Sequence, residues 1–118
     1  MGTLIPPDKV LAARVLREVG FADRVIAYRL NERMGAVAAT LYSFEEVVSL
    51  LYDLCPRVDW DGLVRWVREV IGDRELAAAM EGALQAEGNE GARLLHLRNL
   101  MGERLVQCQA EADAACDA

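Results

Sequence analysis

The chain has 118 residues, 53% of them hydrophobic and 27% charged, with nine glycines, three prolines and a formal charge of −6. That length suits one domain with its own core. The composition excludes a disordered acidic tail, a collagen-like chain and a low-complexity linker. No stretch approaches the roughly 18 uninterrupted apolar residues of a membrane-spanning helix. The opening Met1-Gly2-Thr3-Leu4-Ile5-Pro6-Pro7 lacks the basic region and apolar core of a secretion signal. Pro6 stands where a myristoylation motif needs Ser or Thr. Cys55, Cys108 and Cys116 are odd in number and widely spaced, which reads as reduced thiols rather than a disulfide framework. Together these features predict a cytoplasmic protein with no membrane contact.

In chain order, Pro6-Pro7-Asp8 starts a helix that reaches Val19 and stops at Gly20, burying Leu11, Ala12, Val15, Leu16 and Val19. Asp23 is read as the cap of a second helix through Val25, Ile26, Leu30, Val37 and Leu41, with a break possible at Gly35. Ser43-Phe44-Glu45-Glu46 is a capping-box sequence, followed by a stripe of Phe44, Val47, Val48, Leu51, Leu54 and Cys55 that Pro56 ends. Asp59 is read as the N-cap of the stripe Trp60, Leu63, Val64, Val67, Val70 and Ile71, which Gly72 closes. Asp73 caps a helix from Arg74 to about Glu87 with Leu76, Met80, Ala83 and Leu84 inward. Gly88-Asn89 breaks the chain before a last helix from Glu90 to around Ala112. Stripes starting at Phe44, Trp60 and Leu76 are evenly spaced, which equal helix lengths explain better than a solenoid repeat. The expected fold class is all-α: a compact single-domain bundle, residues 1–118, of five or six amphipathic helices with short connections and a long C-terminal helix. Residues 1–7 and about 113–118 are expected to fray.

Standard chemistries find little support. Asp59 and Asp61 before Gly62 fit two positions of a calcium loop, but Arg57 and Arg68 stand where its end ligands belong. The cysteine spacing and the single His96 do not make a zinc site, and Arg93 replaces the Glu of a di-iron Glu-x-x-His pair. No phosphate-binding glycine loop is present. No cofactor, metal or catalytic residue is therefore assigned. A small enzyme with a cleft around His96 stays as a further alternative.

Charge is uneven. Residues 1–35 carry +2 and the remainder −8. The basic part supports an alternative, a helix-turn-helix-like DNA-binding regulator in which the helix after Gly20 presents Arg24, Tyr28, Arg29, Asn31 and Arg33. The acidic remainder opposes nucleic acid. The leading expectation is a non-enzymatic protein-protein interaction module. The last helix is apolar on more than one side, so Leu97, Met101 and Leu105 are the expected interface of a homodimer. Trp66 is a weaker contact candidate, and Trp60 a core residue. An unidentified protein partner follows from the same reading.

Overall fold

The computed structural model describes residues 4–31, 33, 35–53 and 56–116. The described elements are α1 (Lys9–Leu16), a 3₁₀ turn (Phe21–Asp23), β1 (Val25–Asn31), β2 (Gly35–Leu41), α2 (Phe44–Leu51), β3 (Pro56–Arg57), α3 (Trp60–Trp66), α4 (Arg74–Ala86) and α5 (Glu90–Cys116). The fold is mixed α/β, which corrects the all-α expectation: a three-stranded antiparallel sheet of order β2-β1-β3 sits beside the helices.

The correction falls on one segment. Residues expected to form a helix behind Asp23 make a hairpin, with Val25 opposite Leu41, Ala27 opposite Ala39 and Asn31 opposite Gly35. β-Branched and aromatic side chains (Val25, Ile26, Tyr28, Val37, Thr40) suit a pleated surface better than a helix. Gly35, at φ 73°, takes up the left-handed conformation needed where the chain reverses.

Elsewhere the expected helices form with other bounds: α1 ends at Leu16 rather than Val19, α5 runs to Cys116 rather than about Ala112, and the Asp59 side chain makes no cap bond to α3. Asp8 caps α1 by accepting from Leu11 N–H at 2.8 Å. The Ser43 side chain accepts from Glu46 N–H at 3.2 Å, while Glu46 Oε1 accepts from Tyr42 N–H at 2.9 Å. This reciprocal box fixes the start of α2 directly behind β2. Phe44, Val47, Val48 and Leu51 are buried; Leu54 and Cys55 of the expected stripe lie outside the described residues. After Trp66 the helix widens into a π turn, Val67–Ile71, closed by Gly72 at φ 84°. Arg17 donates to the carbonyl of Val70 in that turn, placing a cation where a helix end is electronegative.

α5 runs through the centre of the helical layer against α1, α2 and α4. Its inward stripe is Leu97, Leu100, Met101, Arg104 and Cys108, all buried. Arg104 is fully enclosed and lies 2.9 Å from Asp73 Oδ2, an ionic contact outside hydrogen-bond alignment. It also pairs with Glu75 and donates to the Ile5 carbonyl at 2.8 Å and to Gln107 Oε1 at 2.9 Å. Glu75 in turn accepts from Ile5 N–H. This network holds the chain before α1 onto α4 and α5. Leu4 and Pro7 are buried, while Ile5 and Pro6 are exposed.

Cys108 lies against the same network. Burial pushes its thiol up to about 11, with Arg104 opposing the rise and Asp73 adding to it. An unfolded thiol titrates near ~8.5. Between those values the folded chain keeps a proton that the unfolded chain releases. The contribution to stability is therefore complete below ~8.5 and declines as pH rises towards 11. A folded sample at neutral pH should leave Cys108 unlabelled by maleimide, with labelling appearing in denaturant, as read by peptide mass spectrometry. The alkaline loss of stability should be smaller in Cys108→Ala.

Candidate interaction surface

The surface with the clearest chemistry is the free edge of the sheet. β2 is terminal, so its side away from β1 has no strand partner among the described residues. Its sequence, Gly35-Ala36-Val37-Ala38-Ala39-Thr40-Leu41, has no charge and no proline, and Gly35, Ala36, Ala38 and Thr40 are exposed. Edge strands are commonly blunted by Lys, Pro, a bulge or a covering element. None of those devices occurs among the described residues of this edge, so its backbone donors and acceptors are open to another extended chain.

Strand register defines two faces. Ile26, Tyr28, Ala38 and Thr40 share the outer one, where Ile26 and Tyr28 are about half exposed. Val25, Ala27, Ala39 and Leu41 share the inner one, where Ala27 and Leu41 are buried. Arg29 lies on this inner face and reaches Asp53, just beyond α2, at 2.9 Å.

Beside β2 runs a groove of about 820 Å³ between the strand and the exposed side of α2. Glu45 and Ser49, one turn apart on α2, make the far wall together with Asp53 just beyond the helix end. Glu18 and Glu46 complete an acidic lining in which Arg29 is the one cation among the described residues. Glu46 is engaged by Tyr42 and Ser43 through the capping box. Glu18 and Glu45 are exposed and make no side-chain hydrogen bond or ion pair with the described residues. The wall is anchored at its base: Val19 N–H donates to the Tyr42 carbonyl at 2.7 Å, and Glu18 bridges to Ser43.

A second cleft, about 830 Å³, opens on the other side of the sheet between β1, β3 and the start of α5. Its lining is mainly apolar, from Ile26, Tyr28, Val58, Trp60 and Leu94, with charges of both signs from Arg57, Arg98, Asp53, Asp59 and Glu90. Trp60 Nε1–H donates to Glu90 at 2.9 Å, and the Arg98 guanidinium lies 4.6 Å from the centre of the Tyr52 ring.

The residues singled out from sequence are dispersed. Leu97 and Met101 are fully buried in the chain's own core, and Leu105 is partly buried against it. In the folded chain, Leu97 and Met101 thus present no surface to a second copy. Trp66 is buried, its indole N–H donating to the Asp23 carbonyl at 2.7 Å. Tyr28, Arg29 and Asn31 belong to β1 rather than to a recognition helix, which corrects the helix-turn-helix geometry. Arg24 stacks at 3.8 Å on Phe21 and bonds the Phe21 carbonyl; Arg33 is exposed in the connection between β1 and β2. His96 faces Glu87 at 3.3 Å, and neither residue lines the two clefts described above.

The β2 edge and the acidic wall were not among the expected sites. A signal for them exists in the sequence: residues 34–44 carry no charged side chain, and the charges resume with Glu45-Glu46. Comparison with protein-family models, with curated proteins and with solved structures finds no match for this chain.

Proposed function

We propose that this chain is a non-enzymatic protein-interaction module that takes up an extended segment of another polypeptide as a fourth strand on β2. One observation carries the reading: a seven-residue edge strand, uncharged and free of proline, in which Gly35, Ala36, Ala38 and Thr40 are exposed. Strand addition uses main-chain hydrogen bonds for affinity and alternate side chains for specificity. The groove beside β2 gives those side chains somewhere to go. The free, buried thiol of Cys108 supports placing the module in a reducing compartment such as the cytoplasm.

The test uses a fluorescein-labelled neutral heptapeptide alternating threonine and valine, followed by anisotropy. Two further forms are N-methylated at alternate amides, one at the odd and one at the even positions. In a paired strand only alternate N–H groups face the neighbour. The unmodified peptide should bind saturably. One methylated form should keep that affinity and the other should lose about tenfold or more, from several bonds of roughly 1 kcal/mol each. Any other pattern overturns the reading.

A further inference from the structure

We propose that the segment added to β2 is basic, with lysine or arginine at every second position entering the groove between β2 and α2. The proposal rests on the strand-addition reading above. An added strand would run about 4.8 Å from β2, and its side chains would alternate between the two faces of the sheet. Those on the inner face enter the acidic groove. There, among the described residues, Glu18, Glu45, Glu46 and Asp53 outnumber the cation Arg29. Asp53 already shares its charge with Arg29, and Glu46 is held by the capping box. Glu18 and Glu45 are the exposed carboxylates left to receive a cation. On the outer face the neighbours are Ala38, Thr40, Tyr28 and Ile26, none of them charged. The matching ligand alternates basic residues with small or apolar ones.

A second copy of this chain fits the same edge poorly. Antiparallel pairing of β2 with itself about a two-fold axis would bring both α2 walls to the same side of the joined sheet. Two acidic grooves would then face each other, on chains that each carry −6. The inner-face side chains that β2 would offer its copy, Val37 and Ala39, are too short to reach the carboxylates. Charge complementarity favours a basic heterologous strand.

The experiment compares three heptapeptides on the threonine–valine scaffold, with lysine, glutamine or glutamate at the groove-facing positions. Each is titrated at about 50 mM and about 300 mM salt, a range over which exposed charges become strongly screened. The lysine peptide should bind at least tenfold more tightly than the glutamine peptide, and the glutamate peptide more weakly still. The preference for lysine should shrink at the higher salt and in the Glu18→Gln/Glu45→Gln double variant. Equal binding of all three peptides overturns the basic partner while leaving strand addition in place. Binding of none overturns both. Sedimentation showing a dimer that the peptides dissociate would put a second copy on β2 and overturn the basic partner.

Discussion

Replacing Arg104 with methionine is expected to lower the unfolding free energy by about 3–5 kcal/mol, because it strands a buried carboxylate. Arg104 is wholly buried, and the Asp73 carboxylate 2.9 Å away is 1% exposed. Asp73 cannot simply turn to water, since its Oδ1 accepts from Leu76 N–H at 3.0 Å to cap α4. The variant also removes the donor that holds the Ile5 carbonyl, so the segment before α1 should become open to exchange. Asp73→Asn keeps a capping oxygen while removing the charge. The double variant Arg104→Met/Asp73→Asn should therefore recover much of the loss. Urea denaturation of the wild type, both single variants and the double variant forms the cycle that measures this coupling. Additive losses would show that the two side chains do not depend on each other.

The second large effect concerns Leu97 and Met101. Either one, changed to alanine, should cost about 2–5 kcal/mol of stability through lost burial and the cavity left behind. Both side chains are fully buried within a single copy of the chain. Sedimentation should accordingly return the same mass for wild type and folded variant. A variant that keeps its denaturation midpoint but changes its association state would place these residues between chains instead. The outcome separates a core helix from a dimer seam, two roles that helical spacing cannot tell apart. Leu97 and Met101 are three and four residues from Leu100 and Leu105 respectively, a pattern that fits either role.

Local signals with one physical interpretation were legible in the sequence. Ser43 with Glu46, Gly72, and Asp73 ahead of Leu76 each satisfy backbone groups at a helix end, and each does so in the fold. The hairpin was not legible, because apolar residues occur on both of its faces. Ile26 and Tyr28 point outward while Val25 and Ala27 point inward, so no polar alternation marks the strand. Ala36, Ala38 and Ala39 further bias the segment towards a helix. Pairing across the chain overrode that preference, and only pairing shows which strand lies at the edge. Arg104 was obscured in a similar way. As an arginine within an apolar stripe it resembles an interruption of the stripe, whereas its partners Asp73 and Glu75 lie on another helix.

The candidate surface inherits this division. Glu45 and Ser49 share a face of α2 by helical spacing alone, whereas Asp53 joins them only because the chain turns beyond the helix end. Its role as the wall of a groove depends on where β2 runs, which no local pattern specifies. The arginines of the first 35 residues are engaged in different places: Arg17 bonds the turn after α3, Arg24 stacks on Phe21, and Arg29 pairs with Asp53.

The central claim is that β2 is the strand on which a partner is built, and amide hydrogen exchange resolved by NMR tests it most directly. In the free chain, the amides of β2 that point away from β1 should exchange quickly. Saturation with the threonine–valine heptapeptide should slow every second amide between Gly35 and Leu41, with little change in α4 or α5. Protection centred on the cleft beside Trp60 and Leu94, or no protection along β2 at saturation, would contradict the account.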